Sequence, residues 1–235
     1  MTIKIGAIIL SRMDSIRLPG KALRLVRNKP LIKYVIDRAC QVEGVSGICV
    51  ATSGREIDDP IVKFCTENNI CVYRGSPNDV AGRFLECMES NAWDAALRIN
   101  GDSPLHSYEL LSDAVRIHSL ADADLITNVF PRSYPIGMSV ELIAKTALRS
   151  AHGNMEKNSN FEHITEYFYE NQDDFNIKTF LLNRFDHSEV HLAVDTKRDL
   201  HRFEWIVNEL GDQYAVADYE KIIDLYMAYE KYNKK

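Results

Sequence analysis

The sequence predicts one α/β domain, in which a doubly wound, mostly parallel sheet carries helices on both faces. Three observations lead to this prediction. The 235 residues suffice for one large α/β domain, and 46% hydrophobic against 26% charged residues is ordinary for a globular protein. Short apolar runs alternate with segments of helical periodicity, which makes four βα repeats in about 125 residues. The first run is nearly continuous, as expected of a strand buried on both faces.

The elements of the first half follow from these apolar runs and from helix start signals. The predicted strands are Ile3–Leu10, Gly47–Thr52, Ile70–Tyr73, Ala95–Ile99 and Asp124–Thr127. The predicted helices are Pro30–Val42, one that begins at Asp58-Asp59-Pro60, Val80–Asn91 and Ser107–His118. Right-handed crossovers place the loops after these strands along one edge of a Rossmann-like sheet, where ligands bind outside the carboxyl ends.

The second half is less regular. Phe130–Gly137 holds two prolines, a glycine and two aromatic residues, which is typical of a turn-rich connector. The strands predicted after it are Met138–Ile143, Phe175–Leu182 and Val190–Val194, and the helices are Phe161–Asn171, Arg198–Leu210 and Asp218–Tyr232. Because the chain has no internal repeat and no low-complexity linker, we expect residues 1–235 to form a single domain with an inserted smaller lobe near 130–185.

Composition excludes several classes of protein. The formal net charge is −6, so the chain lacks the basic footprint that nucleic-acid binding usually leaves. No apolar run approaches the roughly 20 residues of a membrane helix, and the apolar start is too early and too brief for a signal peptide. The five cysteines are odd in number and lack C-x-x-C spacing, which favours buried, reduced thiols in a cytoplasmic protein.

The loop after the first strand carries the strongest local signal. It contains three permanent cations, Arg12, Arg17 and Lys21, and a Pro-Gly turn precedes the lysine. A phosphate chain requires exposed backbone N–H groups together with Arg and Lys, although the Walker pattern G-x-x-x-x-G-K-[ST] is absent. The position at a strand's carboxyl end favours polyanion binding over a solvated basic loop.

Two aspartates follow apolar runs. Asp102 stands in Asn100-Gly101-Asp102-Ser103-Pro104, and the alternative to a metal ligand there is a turn that caps the next helix. Asp195 ends Val190–Asp195, and the alternative is a helix N-cap. Mg²⁺ prefers carboxylate oxygens and usually shares its shell with substrate phosphates. Together with the basic loop, the two aspartates indicate a metal–triphosphate site.

A further stretch, Arg74–Phe84, predicts a loop that leads into a helix. Arg83 falls in the first turn of that helix, where a cation opposes the helix dipole unless it meets an anion. The alternative is an exposed arginine.

These motifs, in this order, resemble the acidic-sugar cytidylyltransferases, which include the CMP-Kdo and CMP-sialic acid synthetases. The likeness is greatest to their spore-coat polysaccharide biosynthesis branch and spans roughly residues 3–210. It rests on Ser15–Lys21, Val50–Ser53, Arg74–Phe84, Gly101–Pro104, Asn128–Gly137, Glu162–Thr165 and Val194–Leu200.

The resemblance implies a Mg²⁺-dependent transfer of CMP from CTP to an acidic sugar of the nonulosonic-acid type, with release of pyrophosphate, for surface polysaccharide or glycoconjugate biosynthesis. It implies catalytic roles for Arg12, Lys21 and Asp102, and Mg²⁺ ligation by Asp102 and Asp195. The implied nucleotide contacts are Leu10, Ser11, Arg12, Arg17, Lys21, Ser53, Arg83 and Asn100. The implied contacts of the small anionic acceptor are Tyr134, Glu162 and His163, in a lobe that also forms a homodimer.

Alternatives remain open at this point. Asn78–Gly82 stands where Kdo-specific relatives carry an S-G-T segment, which argues against Kdo as the acceptor. A nucleotide-sugar-dependent glycosyltransferase is opposed by the triphosphate loop Leu18–Lys21, since such enzymes hold a diphosphate. A non-catalytic nucleotide-binding domain is opposed by the intact carboxylates and cations. A cytidylyltransferase that acts on a non-sugar or phosphorylated acceptor is a further alternative.

Overall fold

The computed structural model describes residues 3–181 and 186–233. The strands of these two ranges are β1 (Ile5–Leu10), β2 (Leu25–Val26), β3 (Lys29–Pro30), β4 (Gly47–Ser53), β5 (Cys71–Gly75), β6 (Ala95–Asn100), β7 (Leu125–Thr127), β8 (Glu141–Ala144) and β9 (Ile177–Thr179). Their helices are α1 (Leu31–Ala39), α2 (Asp59–Glu67), α3 (Val80–Ser90), α4 (Tyr108–Leu120), α5 (Lys145–Asn154), α6 (Asn158–Glu162), α7 (Glu166–Glu170), α8 (Lys197–Leu210) and α9 (Tyr219–Asn233). The end of the predicted strand at Leu182 and residues 182–185 of the predicted lobe lie outside the described residues.

Seven of the described strands form one sheet in the order β5-β4-β1-β6-β8-β7-β9. β8 runs antiparallel to its neighbours β6 and β7, and the other pairs are parallel. Leu10, at the carboxyl end of β1, pairs with Ala51 of β4 and Asn100 of β6. The predicted doubly wound, mostly parallel sheet is therefore confirmed, and the ends of three neighbouring strands meet at the edge where the predicted site lies.

Helices cover both faces of the sheet because both sets of alternating residues on the central strand are apolar. Ile9 packs in one cluster with Ile32 and Val35 of α1, and Ile8 packs in another with Phe84 of α3. All five side chains are fully buried. A third apolar cluster joins α8 and α9 to the end of the basic loop. The core thus fixes the strand ends, the basic loop and the closing helices relative to one another.

The predicted strand Val190–Val194 is wrong. The segment forms a single isolated bridge, between Ile136 and His191. Its apolar side chains pack in the cluster with α8 and α9, and burial beneath helices produces the same apolar run as burial between strands. The amide of Leu192 donates to the Ile136 carbonyl oxygen at 2.7 Å, and the amide of Val194 donates to the Asp102 carbonyl oxygen at 2.8 Å. These bonds bring the segment across the site.

Two further elements of the second half differ from prediction. The helix predicted for Phe161–Asn171 is interrupted, because α6 ends at Glu162 and α7 begins at Glu166. The strand predicted from Met138 begins only at Glu141. Within 130–185, β8 and β9 belong to the main sheet and α5 packs against α3. The acceptor-binding and dimer-forming roles of this segment stay predictions.

The cysteines bear out the expectation of buried thiols only in part. Cys49, Cys65 and Cys87 are buried, whereas Cys40 and Cys71 are exposed. Cys40 follows the end of α1, and Cys71 opens the edge strand β5, where one side of the sheet has no further strand to cover it. All five lie in the described ranges and are free. No helix in those ranges is long and apolar enough to cross a membrane.

Candidate active site

A cavity of about 680 Å³ opens at the carboxyl edge of β1 and β6. It is walled by these strand ends, the basic loop, the start of α3 and the end of α6. We call it the larger chamber. The predicted site residues that line it are Leu10, Ser11, Arg12, Arg17, Lys21, Arg83, Asn100, Asp102, Glu162, His163 and Asp195.

The basic loop is a folded structure with fixed anchors. Gly20 has a φ of +66°, a conformation that favours glycine, and its amide donates to the Met13 carbonyl oxygen at 3.1 Å. The amide of Met13 donates to Oδ1 of Asp58 at 2.7 Å. Lys21 begins a short 3₁₀ turn directly after the glycine. The Pro-Gly turn therefore presents the lysine toward the strand ends, as the sequence predicts.

Lys21 joins the two predicted metal ligands. Its Nζ donates to Oδ2 of Asp102 at 2.7 Å and to Oδ1 of Asp195 at 3.0 Å. Arg17 makes a second ion pair with Asp195, at 3.0 Å. Two carboxylates that are distant in the sequence thus share the ammonium group of Lys21, whose side chain is only 14% exposed. These ion pairs place two cations and two carboxylates side by side in the larger chamber.

Other residues cap the helices that follow Asp102 and Asp195, which excludes the helix-cap alternative for both aspartates. Helix α4, which follows Asp102, is capped by Ser107, whose hydroxyl accepts from the Leu110 amide at 3.2 Å. Helix α8, which follows Asp195, is capped by Thr196 in a capping box with Asp199. Neither aspartate therefore caps a helix, and both line the larger chamber.

Arg83 is not the exposed arginine of the alternative interpretation. Its side chain is 1% exposed, and Nη1 donates to the Ser76 carbonyl oxygen at 2.6 Å. Its buried Nε has no hydrogen-bond partner among the described residues. Burial, together with the positive charge of Arg12, lowers the pKa of Arg83 to about 10. A desolvated guanidinium with a free donor on a chamber wall is suited to an anionic or carbonyl-bearing ligand.

Arg12 lies near Arg83 on the wall of the larger chamber. Its Nη2 bonds to Oε1 of Glu162 at 2.8 Å, and its Nη1 donates to the Pro77 carbonyl oxygen at 2.9 Å. Glu162 is the last residue of α6, so this pair ties the basic loop to the interrupted helix. His163 follows at the break and lines the same wall.

A smaller chamber of about 290 Å³ adjoins the larger one. Arg98, Asn100, Asp102 and Asp195 line both chambers. The residues that line only the smaller chamber are Ser103, Val129, Arg132, Ile136, Gly137, Ser139, Glu141 and Ala193. The two chambers therefore meet at the carboxylates of Asp102 and Asp195.

A buried ion pair stands at the back of the smaller chamber. Glu141 is 3% exposed and pairs with Arg98. The hydroxyl of Thr165 donates to Glu141 Oε1 at 2.5 Å, and that of Tyr169 donates to the same oxygen at 2.9 Å. Burial alone raises the pKa of a carboxyl group, but the charge of Arg98 and these hydrogen bonds hold the pKa of Glu141 below its usual value. The group is therefore a carboxylate.

A family model described as cytidylyltransferase matches residues 6–234. The chain belongs to the cytidylyltransferase family. The matched span includes every residue that lines the two chambers. The resemblance identified in the sequence is thereby confirmed, and the chain is a nucleotidyltransferase.

This cytidylyltransferase is similar in sequence to several known proteins. It is 31% identical over 199 residues to an uncharacterised protein of Methanocaldococcus jannaschii, and this alignment covers 83% of this chain and 80% of that protein. It is 26% identical to the spore coat polysaccharide biosynthesis protein SpsF of Bacillus subtilis, over 92% and 91% of the two chains. A 3-deoxy-manno-octulosonate cytidylyltransferase of Acinetobacter baumannii is 33% identical over 47% of this chain and 44% of its own.

A solved structure of a cytidylyltransferase from Leptospira borgpetersenii matches with a TM-score of 0.89. The alignment has 25% identity and covers 99% of this chain and 96% of the other. The architecture of the enzyme therefore belongs to a fold already seen in a cytidylyltransferase.

Two of the predicted contact residues, Ser53 and Tyr134, lie outside the lining of both chambers. Ser53 is fully buried, and its hydroxyl bonds to Asp58, the residue that anchors the basic loop at Met13. Tyr134 is 5% exposed and packs edge-on against Tyr219. Their roles as ligand contacts stay predictions, and Ser53 contacts the basic loop through Asp58.

Sequence reasoning missed the chamber that holds Arg132 and Ser139. A signal was present, because Arg98 interrupts the apolar strand Ala95–Ile99 and Glu141 interrupts the run Met138–Ile143. Opposite charges on neighbouring strands of one sheet indicate a buried pair. The strand order that makes β6 and β8 neighbours is visible only in the folded enzyme.

Proposed function

We propose that this cytidylyltransferase transfers CMP from CTP to a small acidic sugar of the nonulosonic-acid type, releases pyrophosphate and requires Mg²⁺. The pair of carboxylates held around Lys21, at the junction of two chambers, is the observation that carries the proposal. The names of two relatives support it, since one is a 3-deoxy-manno-octulosonate cytidylyltransferase and the other a spore coat polysaccharide biosynthesis protein. We assign the product to surface polysaccharide or glycoconjugate synthesis on the same basis.

The larger chamber is proposed to bind CTP. Arg12, Arg17, Lys21 and Arg83 line it and supply the positive charge that a triphosphate requires. The backbone at Leu10 and Ser11 and the amide of Asn100 stand beside these cations. On binding, Lys21 exchanges its two carboxylate partners for phosphate oxygens, so the ion pairs of the free enzyme keep a buried ammonium group satisfied until the nucleotide arrives.

The residues present fit a Mg²⁺ ion. Asp102 and Asp195 offer hard oxygen ligands close enough to share one ammonium group. Among the described residues, no group of three or more His, Cys, Asp or Glu side chains could hold a metal. The two carboxylates suit Mg²⁺, which is usually held by one or two carboxylates together with substrate phosphates and water. When bound, the ion would neutralise phosphate charge at the junction of the chambers.

The proposed reaction is an in-line displacement. The acceptor hydroxyl loses its proton to water as its oxygen attacks the α-phosphorus from the side of the smaller chamber. The bond from the α-phosphorus to the oxygen that bridges to the β-phosphorus breaks, and pyrophosphate leaves on the side of the basic loop. Arg12 and Lys21 would stabilise the charge that develops on the leaving pyrophosphate. Asn100, which lines both chambers, would hold the two substrates in register.

We further propose a cytoplasmic homodimer. The family resemblance supports the dimer. The five free cysteines suit a reducing compartment.

A thermal-shift panel tests the nucleotide and the metal without knowledge of the acceptor. CTP, UTP, GTP, ATP, their nucleoside diphosphates and a nucleotide sugar are compared with and without Mg²⁺, because a ligand of the native state raises the unfolding midpoint. We expect a selective rise with CTP that Mg²⁺ strengthens, and we expect Lys21→Ala to lose it. The matched control is Arg149→Gln, on the exposed surface of α5. A response only to nucleotide diphosphates or nucleotide sugars would refute the proposal in favour of a glycosyltransferase.

A further inference from the structure

The smaller chamber is enclosed by a close backbone contact and a buried ion pair. Gly137 has a φ of +98°, and a Cβ placed on it would lie 2.7 Å from the backbone nitrogen of Ala193. The turn-rich connector therefore needs glycine to approach the segment that carries Asp195. This contact forms one wall, and the ion pair of Arg98 with Glu141 lies at the back.

Arg132 projects a charge into this pocket without an acidic partner. Its Nη2 donates to the hydroxyl of Ser139 at 3.1 Å, and its Nη1 reaches the Pro135 carbonyl oxygen at 3.5 Å. Within the described ranges, no ion pair includes Arg132. It is half-buried, and burial lowers its pKa from the ordinary arginine value. A guanidinium with neutral partners retains donors for an anion.

The charges of the pocket specify which anion it accepts. Arg98 and Arg132 contribute two positive charges, and Glu141 contributes one negative charge that cannot be removed by protonation near neutral pH. Asp102 and Asp195 also line the chamber, but Lys21 and Arg17 form ion pairs with them, so the excess that remains is the positive charge of Arg132. A monoanion balances that excess, whereas a dianionic phosphate would bring its second charge beside Glu141, Asp102 and Asp195.

We infer that the smaller chamber binds the carboxylate of the acceptor through the guanidinium of Arg132 and the hydroxyl of Ser139. The inference rests on the proposed function and adds the residues that recognise the acceptor's acidic group. A carboxylate fits the planar donor fork of arginine and can accept two parallel N–H bonds. The acceptor's reactive hydroxyl then faces Asp102 and Asp195, where the chambers meet. Arg98 positions this pocket through Glu141 and does not itself need to touch the substrate.

The test compares charged and neutral acceptors in the intact enzyme. Pyrophosphate release is measured with CTP, Mg²⁺ and one of five acceptors: N-acetylneuraminate, 3-deoxy-manno-octulosonate, the methyl ester of each, and glucose 1-phosphate. The variants are Arg132→Met, Arg132→Lys and Ser139→Ala. The control is Arg116→Gln, an exposed arginine of α4 that pairs with Asp113. Unfolding midpoints and CTP affinity are measured for every variant.

We expect an acid to be used and its methyl ester to be rejected. Hydrogen bonds to charged groups contribute about 1.5–3 kcal/mol, so Arg132→Met should raise the KM for the acid by about 10- to 150-fold. The KM for CTP should stay within about twofold, because Arg132 does not line the larger chamber. Arg132→Lys should keep part of the activity, which separates loss of charge from a failure to fold.

Two results overturn the inference and leave the proposed function standing: an unchanged KM for the acid in Arg132→Met, or equal use of acid and ester. Preference for glucose 1-phosphate overturns the inference together with the acceptor named in the proposed function. An enzyme that binds CTP but neither uses nor binds any tested acid also overturns it. Absence of CTP binding in the wild type, by contrast, is the failure of the proposed function itself.

Discussion

Replacing Glu141 by glutamine tests whether the buried ion pair shapes the smaller chamber. Glutamine keeps an oxygen that can accept from Thr165 and Tyr169, but it leaves the charge of Arg98 without its counterion. Removal of one partner of a buried pair costs about 3–5 kcal/mol. Because the side chain of Arg98 is 17% exposed in the chamber, we expect the lower end, about 3 kcal/mol.

Urea denaturation and calorimetry measure this loss. For a chain of this size, 1 kcal/mol shifts the unfolding midpoint by about 2–4 °C, so the expected fall is about 6–12 °C. The control is Glu89→Gln, whose ion pair with Arg149 is exposed on the surface. We expect this variant to lose less than about 1 kcal/mol. Adding Arg98→Met to Glu141→Gln should recover at least about half of the loss, since the unpaired charge is then gone.

The pH dependence gives a second readout. The folded pKa of Glu141 lies below the ordinary glutamate value of 4.5, so the carboxylate stabilises the fold fully above that value. Its contribution is lost as the pH falls through the lowered folded pKa. The stability difference between wild type and Glu141→Gln should therefore be constant near neutral pH and shrink below about pH 4.5.

A stability loss in Glu141→Gln equal to that in Glu89→Gln, or a double variant no more stable than Glu141→Gln, would refute the reasoning.

The remaining predictions concern the larger chamber. Asp102→Asn should abolish pyrophosphate release while the unfolding midpoint moves by less than about 4 °C, because Lys21 retains Asp195; normal turnover would remove Asp102 from the chemistry. Lys21→Ala should weaken CTP binding by about tenfold or more, and unchanged affinity by calorimetry would contradict its role. Asp195→Ala should lower kcat more than CTP affinity, and equal turnover would exclude Asp195. Ser53→Ala should destabilise the fold and weaken CTP binding indirectly through Asp58; a stable variant with normal CTP affinity would show that Ser53 does not support the loop.

Most of the larger chamber was predictable because its residues sit at points that local rules define. Leu10, Asn100 and Asp102 follow apolar strands, and parallel strands place such positions at one edge. The turn before Lys21 is likewise local, since Gly20 alone supplies the positive φ. Ser53 also ends a strand, but its hydroxyl turns inward to Asp58 and it does not line the chamber. The direction in which a side chain points at a strand end depends on its tertiary neighbours.

The sequence by itself determined the α/β class, the edge at which the site lies, the basic loop and the family. Each of these depends on residues close together in the chain or on motif order. Only the tertiary structure decided the pairing of Arg12 with Glu162, 150 residues away, and of Arg98 with Glu141, 43 residues away. It also decided the chamber around Arg132. The physical reason is that β8 enters the sheet antiparallel between β6 and β7, and that pairing depends on which faces bury the most apolar surface together, a property of the whole chain.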